Sequence, residues 1–409
     1  MEHIDNLDKK LYVLTSEFPF GTGETFLENE MPYLEKSFTK TIFLTQNTIG
    51  SSRIYSNEII SIEHSSSLKI RMRALFSRIL INELILLIKT KKISIYKFRT
   101  AWKSLTISYS ILNKIEKLIL TKNSSIEKKV FYSYWLDEKS LALAILKSKF
   151  KKIKTISRAH GWDIYEDRHP QNYLPYRNFI LKNLDIVLPI SENGKTYLLK
   201  NNDQLEKKIV VSKLGTPQLN NLIQFEKKPI FHLLSISSFV SLKRIELIIE
   251  SLTLINKEVI HWTHIGSGPL EKDIHQFAAS KLNNKNNITF SFTGQKSNTE
   301  VRNYLEENQV DLFINLSETE GIPVSIMEVQ SAGITVLATA VGGTPEIVNN
   351  ENGFLVGKTA TPNEIAQIIQ YYLNLPESDQ IQKRKLSLRN WELFFNAKKN
   401  YEEFIKLIE

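Results

Sequence analysis

The chain of 409 residues contains no cysteine. Without thiols it can form neither disulfides nor thiolate nucleophiles, and it cannot hold an iron–sulfur cluster or a Cys-ligated zinc ion. It also lacks any Asp-x-Asp sequence, which argues against a carboxylate-bound divalent metal that would hold a diphosphate. HExxH, GxSxG, P-loop and GxGxxG motifs are absent as well, so metalloprotease, serine hydrolase and P-loop chemistry are not indicated.

Glycine and proline are absent from residues 51–160, whereas nine of the 15 glycines lie between Gly266 and Gly357. The first region is therefore predicted to be mostly helical. The second is predicted to consist of short strands and helices joined by tight loops.

Long apolar runs are also missing. The longest, near Ile79–Ile88, is interrupted by Asn82 and Glu83, and a spanning helix needs roughly 20 apolar residues. The first residues are charged and lack the apolar core of a signal peptide. We therefore expect a cytoplasmic protein.

Short apolar or β-branched runs alternate with amphipathic helical patterns, which predicts an α/β protein with parallel sheets covered on both faces. The alternation restarts near Phe231, after a hinge-like stretch from Leu214 to Pro229. This predicts one domain over 1–215, a second over 216–389, and a final helix over 390–409 that packs across the domains. The predicted strands are Leu11–Leu14, Thr41–Leu44, Val130–Tyr134, Thr155–Ser157, Ile186–Pro189, Phe231–Ser237, His261–Ile265, Ile288–Phe292, Asp311–Leu316 and Thr335–Ala338.

The formal net charge of +9 is concentrated in residues 66–123, which carry 13 Lys or Arg residues and only two acids. A helical insertion is predicted there, with one apolar face and with Arg71, Arg73 and Arg78 off that face. A basic amphipathic helix of this kind is typical of elements that lie on an anionic membrane surface. A helical hairpin packed on the first domain, with a solvated basic rim, remains the alternative. The predicted apolar face comprises Leu68, Met72, Leu75, Phe76 and Ile79.

The most informative motif runs from Asp311 to Val356. A predicted strand ends in a turn that carries Glu320, and a helix is predicted from about Pro323, with Glu328 on it. Free amides at a helix start attract an anion such as a phosphate, and carboxylates beside it can accept hydrogen bonds from sugar hydroxyls. The pattern fits a sugar nucleotide, while two solvated glutamates near a helix N-terminus remain the alternative.

Weaker signals lie at other strand ends. Lys243 and Arg244 stand at a strand-to-helix junction, where a lysine suits a diphosphate, although a surface Lys-Arg pair alone is unremarkable. Gly266 and Gly268 form a tight turn, and Gly21 and Gly23 follow the first strand. The sequence SRAHGWD also follows a predicted strand, at the edge where ligands bind in open α/β sheets; its histidine is His160. Two other histidines, His261 and His264, are expected to pack in the core or at the surface rather than to bind a metal.

Together these motifs resemble glycosyltransferases of family 4, which have the GT-B fold. The family pattern EGxPxxxxEAxxxGxPVxAxxxGGxxEIVxxxxxGxLV is similar to residues 320–356, and the lysine element and the GxGP turn also match. TSEFPFGTGETFLENE, YSYWLD and SRAHGWDIYEDR look like bacterial members that build surface polysaccharides. The resemblance implies two Rossmann-like domains whose parallel sheets face a central cleft.

The resemblance implies a role for each motif residue. Glu320, His160 and Lys243 would be catalytic, with His160 bonded to the sugar near the reacting carbon. The first domain would bind the acceptor through Gly21, Gly23, Glu24 and Asp163. The second would bind the donor through Ser238, Lys243, Arg244, Gly266, Gly268, Gly294, Gln295, Glu320, Gly321, Ile322 and Glu328.

The implied activity is a retaining, metal-independent hexosyl transfer from a UDP- or GDP-sugar to a glycan or lipid-linked acceptor in surface polysaccharide biosynthesis. No cofactor and no nucleic-acid partner is expected, and the enzyme would lie peripherally on the inner face of the cell membrane. Ser238 departs from the family, which commonly has an arginine there as a second phosphate ligand; Arg244 is a candidate substitute. A catalytically weak homologue that binds sugar nucleotides or glycans is the alternative. A nucleic-acid-binding protein is disfavoured because the charge lies away from the motifs.

Overall fold

The computed structural model describes residues 9–21, 23–53, 57–65, 67–121, 129–200 and 202–409. The chain forms two compact units. Unit 1 comprises residues up to Ser212 together with Tyr401–Glu409, and unit 2 comprises Lys213–Asn400. The predicted insertion over 66–123 begins and ends at residues outside the described ranges.

Unit 1 is built on a six-stranded parallel sheet with the order β3-β2-β1-β4-β5-β6. The central strand β1 is apolar on both faces, and Leu11–Leu14 are fully buried or nearly so, as expected for a parallel strand covered by helices on both sides. The strands are β1 Lys10–Thr15, β2 Lys40–Thr45, β3 Glu58–Ser61, β4 Lys129–Ser133, β5 Lys154–Ala159 and β6 Ile186–Pro189. The helices are α1 Leu27–Ser37, α2 Leu68–Leu75, α3 Arg78–Lys89, α4 Ile95–Thr121, α5 Glu138–Lys149, α6 Arg177–Asn183 and α7 Glu192–Leu199.

Unit 2 repeats this arrangement with the order β12-β11-β10-β7-β8-β9. Numbered within each unit, both sheets have the order 3-2-1-4-5-6 of dinucleotide-binding folds. The strands are β7 Phe231–Ile236, β8 Ile260–Ile265, β9 Ile288–Phe292, β10 Leu312–Asn315, β11 Thr335–Thr339 and β12 Gly353–Val356. The helices are α8 Ile245–Thr253, α9 Glu271–Leu282, α10 Asn298–Glu307, α11 Val324–Ser331, α12 Pro362–Asn374 and α13 Glu377–Phe394, followed by α14 Ala397–Ile408.

The predicted single helix over 390–409 is wrong, because α13 ends at Phe394 and α14 begins at Ala397. Thr216 pairs with Asn396 in a parallel bridge between the two helices. Gly215 permits this approach, since a Cβ atom there would lie 2.6 Å from the Cα of Ala397. The break thus arises from a contact distant in sequence, which the residues of the segment itself do not reveal.

The last part of α14 completes the core of unit 1. Phe404 is fully buried, and the guanidinium of Arg158 lies 4.4 Å from its ring centroid. Arg158 also forms a fully buried ion pair with Glu30, at 2.9 Å, and its Nε donates to the hydroxyl of Tyr132 at 2.9 Å. Phe404 thus covers a buried ion pair of unit 1 and joins the C-terminal residues to that unit.

Candidate functional site

In unit 2 the sheet reverses its strand order between β7 and β10, and the loops after these two strands meet there. The amide of Glu318 donates to the carbonyl of Leu242 at 2.8 Å. Ligands of open α/β sheets bind at this position, outside the carboxyl ends of the strands. The topology therefore brings the predicted lysine and glutamate motifs together.

The side chains of Lys243 and Glu320 are in direct contact. The Nζ of Lys243 lies 2.7 Å from Oε1 of Glu320, and both side chains are largely buried, with exposed fractions of 26% and 11%. The amide of Asn315 also reaches this carboxylate oxygen, at 3.4 Å. A cation and a carboxylate that are separated by 77 positions in the sequence are thus held in contact. A diphosphate could take the place of Glu320 as the partner of Lys243, and a hydroxyl group could take the place of Lys243 as the partner of Glu320.

Arg244 ties three loops of unit 2 together. Its Nε donates to the carbonyl of Leu316 and its Nη1 to that of Lys358, both at 2.6 Å, while Nη2 donates to the hydroxyl of Thr339 at 3.1 Å. Each guanidinium nitrogen already has an acceptor, so the first role of Arg244 is to position the loops. Ser238 is exposed in the loop after β7. Donor binding by these two residues stays a prediction.

Gly266 and Gly268 allow two loops to pack closely. A Cβ atom on Gly266 would lie 1.9 Å from the carbonyl oxygen of Ser237, and one on Gly268 would lie 2.7 Å from the amide nitrogen of Phe239. The loop after β9 joins them, because the carbonyl of Gly294 accepts from Gly266 at 2.9 Å. Gln295 accepts from Ser267, also at 2.9 Å. These four predicted residues therefore shape the surroundings of Lys243.

Two glycines outside the predicted site support Glu320. A Cβ atom on Gly342 would lie 1.9 Å from the carbonyl oxygen of Glu320, and Gly342 has a positive φ of 54°. The amide of Gly343 donates to the carbonyl of Gly321 at 2.6 Å. The two consecutive glycines after β11 are evident in the sequence, but only the fold shows that they contact the turn of Glu320.

Helix α11 begins beside this turn, at Val324, with Pro323 as its N-terminal cap. The predicted start at Pro323 is thus one residue early. Within the described part of the chain, the amides of Gly321 and Ile322 donate no hydrogen bond. Such free amides next to a helix start form a ready site for an anion.

Glu328 is buried on α11 with only 7% of its surface exposed. Its carboxylate forms no hydrogen bond with any residue that the structure describes. Burial raises its pKa to about 7, although the charge of Arg302 acts in the opposite direction. A buried carboxyl without a hydrogen-bond partner is costly, so a ligand that supplies hydroxyl donors would be stabilised there.

In unit 1 the equivalent loops, after β1 and β4, are joined by Glu24. Its carboxylate accepts from the amides of Ser16, Glu17 and Phe18, at 2.7–2.9 Å, and from the indole of Trp135, at 2.6 Å. Four donors match the lone-pair sites of a carboxylate. Glu24 therefore organises the loop, and its direct contact with an acceptor stays a prediction.

Gly21 and Gly23 make room for a second carboxylate that sequence reasoning missed. A Cβ atom on either glycine would lie within 2.8 Å of Oε2 of Glu17. The amide of Gly23 donates to the same oxygen at 3.0 Å. Glu17 lies within the TSEFPFGTG motif, but the motif alone does not show that its carboxylate packs against the two glycines.

His160 is buried between the rings of Tyr134 and Trp135, with centroid distances of 4.7 and 4.6 Å. Neither ring nitrogen forms a hydrogen bond among the described residues, and Nδ1 lies 3.8 Å from the carboxylate of Asp163. Asp163 itself accepts from the amides of His160 and Leu136, both at 2.7 Å. Burial would raise the pKa of Asp163, but the His160 ring and these amides hold it below its ordinary value.

His261 and His264, which were expected to pack rather than to bind a metal, both have hydrogen-bond partners within unit 2. His264 is fully buried, and it joins the hydroxyl of Ser235, at 2.8 Å, to the carbonyl of Ser237, at 3.0 Å. Burial lowers its pKa to about 4. His261 contacts the hydroxyl of Thr289 at 2.9 Å. In the described ranges no three acidic or histidine side chains are grouped as metal ligands, and metal independence stays a prediction.

The insertion exposes a surface, formed by residues 68–96, that is both apolar and basic. Helix α2 ends at Leu75, and Ser77 caps α3 through its hydroxyl, so the predicted single apolar face is wrong. Leu75 and Ile79 pack against the core, whereas Leu68, Met72 and Phe76 are exposed. The other large exposed apolar side chains of this surface are Ile81, Ile85, Leu86, Ile88, Ile93, Ile95 and Tyr96.

The charges on this surface are mostly positive. Residues 68–96 include seven Lys or Arg residues and one acid, Glu83. Glu83 is bonded to the hydroxyl of Tyr173 at 2.9 Å and to the amide of Tyr176 at 3.2 Å. In the part of the chain that the structure describes, every helix is too short or too polar to cross a bilayer.

Residues 220–386 match the family model described as "Glycosyl transferases group 1". Over 222 residues, or 50% of its length, the chain is 27% identical to a protein named putative colanic acid biosynthesis glycosyltransferase WcaL, from Escherichia coli K12. It is 25% identical over 281 residues, 66% of its length, to amylovoran biosynthesis glycosyltransferase AmsK of Erwinia amylovora. These alignments span 51% of WcaL and 67% of AmsK.

Two solved structures resemble the whole chain. Lipopolysaccharide outer core galactosyltransferase WaaB, in its apo form, has a TM-score of 0.68 at 14% identity and covers 97% of this chain and 99% of its own. HepE from Anabaena, in complex with UDP and glucose, has a TM-score of 0.67 at 13% identity, with 97% and 98% covered. At these identities the likeness concerns the fold alone. It confirms the predicted GT-B fold class with two Rossmann-like domains, and the family match, which lies within unit 2, supports a glycosyltransferase.

Proposed function

We propose that the chain is a retaining glycosyltransferase that moves a hexosyl group from a nucleotide sugar to a glycan or lipid-linked acceptor in surface polysaccharide biosynthesis. The observation that carries the proposal is the Lys243–Glu320 contact of 2.7 Å, at the strand-order reversal of unit 2. The names of the relatives, which act in colanic acid and amylovoran biosynthesis, support the pathway class.

The donor fits unit 2 by its chemistry. Lys243 would bind the diphosphate, together with the amides of Gly321 and Ile322 at the start of α11. Glu320 would then accept hydrogen bonds from hydroxyls of the transferred sugar, and the partnerless carboxyl of Glu328 would accept those of the ribose. The base would lie near Gly294 and Gln295. The UDP complex of HepE, which has the same fold, supports a UDP- or GDP-sugar as donor.

Lys243 has to change partners when the donor binds. In the structure it neutralises Glu320; with donor present, it would neutralise the diphosphate while sugar hydroxyls satisfy Glu320. The bond between the anomeric carbon and the diphosphate oxygen then breaks, and a bond to the acceptor hydroxyl forms on the same face of the sugar. The hydroxyl proton passes to the departing diphosphate, whose charge Lys243 and the helix amides stabilise. Electrostatic stabilisation of this kind is usually the largest catalytic contribution.

Unit 1 is proposed to bind the acceptor. The loop of Gly21 and Gly23 is held in one shape by Glu17 and Glu24. Asp163 is fixed by two amides, and it holds the main chain at His160. The ring nitrogens of His160 form no hydrogen bond among the described residues, and a sugar hydroxyl could supply such a partner.

The surface of residues 68–96 is proposed to lie on an anionic membrane, where a lipid-linked acceptor would reside. Exposed apolar side chains can enter the headgroup region while the surrounding lysines and arginines contact anionic lipids. A hairpin with a solvated basic rim would not require so many exposed apolar side chains, which favours the membrane.

Vesicle binding tests this role of the surface. Replacing Lys69, Arg78, Lys89 and Lys92 by glutamine should weaken binding to phosphatidylglycerol vesicles, because each basic residue near an anionic surface contributes about 1 kcal/mol. UDP affinity should not change. The matched control replaces Lys228, Lys257, Lys272 and Lys385, which are exposed in unit 2. Equal weakening by both sets, or by neither, would refute the membrane role.

Release of nucleoside diphosphate tests the activity. A thermal-shift screen of nucleotide sugars identifies the donor, because a ligand that binds only the folded state raises its stability. With that donor and a lipid-linked acceptor, we expect acceptor-dependent release of the diphosphate and a product of unchanged anomeric configuration. Tight donor binding without transfer to any acceptor would favour the catalytically weak homologue instead.

A further inference from the structure

Unit 1 contains a cavity of about 460 Å³ to which the donor chemistry assigns no role. Its walls come from the loop after β1, the first turns of α4, the turn after β4 and the segment that leads to α6. Of the predicted site residues only Asp163 lines it. The volume lies within the range of roughly 300–1,000 Å³ that is typical of small-molecule pockets.

Aromatic rings form a large part of the walls. Trp162, Trp135, Tyr96 and Tyr173 all line the cavity. Trp162 is 58% exposed, yet its ring is held against His169 at a centroid distance of 4.4 Å. The His169 ring in turn contacts the carbonyl of Trp162 at 2.5 Å. A large exposed indole that is fixed in orientation is a ready platform for the apolar face of a ligand.

The polar groups in the walls are hydroxyls and carboxylates. Ser16, Thr100 and Ser104 offer hydroxyls, and Asp137 and Glu138 carry carboxylates. Arg177 is the residue of Lys or Arg type that lines the cavity. Its guanidinium donates to the carbonyls of Leu136 and Asp163. The carboxylate of Asp137 is paired with the Nζ of Lys139 at 2.5 Å, and this Nζ also donates to the hydroxyl of Ser16 at 2.8 Å. Arg177 and Lys139 are therefore already engaged, and an anionic ligand would meet the carboxylate of Glu138 without a free cation, which is unfavourable.

The cavity adjoins two features described above. The Trp135 ring packs on His160 at 4.6 Å, so a ligand in the cavity would lie one ring away from the proposed sugar-contacting histidine. On the other side, Tyr96 lines the cavity and also belongs to the exposed apolar and basic surface of residues 68–96. An acceptor anchored at that surface could thus reach the cavity with its sugar portion.

We propose that this cavity is a saccharide-binding subsite that takes an uncharged sugar residue of the acceptor, with Trp162 as the stacking platform and Asp137 as an acceptor for its hydroxyl groups. Sugar rings combine an apolar C–H face with polar edges, which matches the alternation of aromatic rings, hydroxyls and carboxylates in the walls. Phosphates and uronic acids do not match it. The inference rests on the proposed function for the identity of the ligand as part of an acceptor.

Saturation-transfer NMR with small sugars tests the subsite directly. The probes are methyl glycosides of glucose, galactose and mannose, compared with glucuronate and inorganic phosphate. At least one neutral glycoside should bind the wild-type chain. Trp162→Ala should weaken that binding about tenfold or more, the equivalent of ~1.4 kcal/mol, and Trp162→Phe should restore most of it. Tyr371→Ala, which removes a ring that is 59% exposed in unit 2, is the matched control and should have no effect.

Three results would overturn the proposal. These are tighter binding of glucuronate or phosphate than of every neutral glycoside, unchanged glycoside binding in Trp162→Ala, and no glycoside binding by the wild type. UDP and GDP affinities measured on the same samples report on unit 2 separately. A chain that binds glycosides through Trp162 but neither nucleotide would refute the proposed function and leave the saccharide subsite standing.

Discussion

The two units share one sheet topology but organise their loops at the strand-order reversal by different means. In unit 2 the loops after β7 and β10 meet through Lys243 and Glu320, and glycines let neighbouring main chains approach. In unit 1 the loops after β1 and β4 meet through the carboxylate of Glu24, which collects four N–H donors. The same place in the fold therefore holds an exchangeable ion pair in one unit and a saturated hydrogen-bond network in the other.

This difference indicates what each unit is built to do. An ion pair at a helix start can open for a charged ligand, because the ligand replaces one partner with another of the same charge. A saturated carboxylate has no lone pair left to offer, so the loop it holds presents a fixed shape. Elsewhere in unit 1, the ring nitrogens of His160 form no hydrogen bond among the described residues. Sheet topology decides where a ligand binds, while the loops decide its charge.

The largest expected effect tests whether the stability of unit 1, but not that of unit 2, depends on the end of α14. Phe404→Ala removes a fully buried ring that stacks on Arg158, and truncation of a buried phenylalanine costs about 3–5 kcal/mol. Hydrogen exchange measured by mass spectrometry should show lost protection in strands β1–β6 and unchanged protection in β7–β12. Glu403→Ala, exposed on the same helix, is the control. Equal loss of protection in both units would contradict the division.

The next largest effect concerns the ion pair itself. Lys243→Ala should lower donor-dependent release of nucleoside diphosphate by about 10²–10³-fold, the loss typical of one transition-state charge partner. Glu320→Ala should also be strongly impaired, because the sugar hydroxyls lose their acceptor. Lys272→Ala, an exposed lysine of unit 2, should retain full activity. Full activity in both site variants would remove the functional distinction between the two loop systems.

Variants of Gly342 and Glu24 test whether the glycine contacts of unit 2 and the carboxylate network of unit 1 have separate roles. Gly342→Ala places a Cβ atom against the Glu320 carbonyl at a positive φ, a strain of about 1–3 kcal/mol, and should weaken UDP binding. Glu24→Gln loses charge-assisted bonds worth roughly 1.5–3 kcal/mol each and should leave UDP binding unchanged while it destabilises unit 1. The control Gly357→Ala has nothing within 4 Å of the new atom. Calorimetric titration with UDP and urea unfolding measure both effects, and equal losses of UDP affinity in Gly342→Ala and Glu24→Gln would argue against separate roles.

The smallest effect is the pH dependence of unit 2. Burial raises the pKa of Glu328 from 4.5 to about 7, so between these values the folded chain binds more protons than the unfolded chain. The contribution of this group to the free energy of unfolding therefore falls as pH rises through about 7. Glu328→Gln should stabilise the protein by about 1–3 kcal/mol above pH 7 and have no such effect below pH 4.5. Urea unfolding of both proteins at pH 4.5, 6 and 8 measures it; a constant difference would exclude Glu328 as the cause.

Much of the fold follows from local patterns, and the failures have physical reasons. Apolar runs such as Ile186–Pro189 and Ile288–Phe292 were predicted with their observed bounds, although both form edge strands. The edge strands β3 and β12 were missed because β3 has only two apolar residues, flanked by polar ones, and β12 begins with a glycine. The helix break before Ala397 depends on Gly215, nearly two hundred positions away. The cap at Ser77 was a local signal that the apolar periodicity around it obscured.

For the candidate site, the sequence located the motifs but not their contacts. The Lys243–Glu320 contact requires that β7 and β10 be adjacent, which only the sheet order provides. The support of Glu320 by Gly342 and of Gly23 by Glu17 depends on close approaches that no spacing rule contains. The cavity around Trp162 is formed by four separate segments, so no single motif could indicate it.

The return of Tyr401–Glu409 to unit 1 imposes an order on synthesis. Every strand of unit 1 has been made by Pro189, but the ring that covers Arg158 emerges only after all of unit 2. At ribosomal rates of about 5–20 residues per second, this interval lasts roughly 10–40 s. During that time the sheet of unit 1 has a buried ion pair with one side uncovered, whereas unit 2 can fold at once. Unit 1, although first in the sequence, is therefore the last to reach its native state, and premature termination anywhere in unit 2 leaves it incomplete.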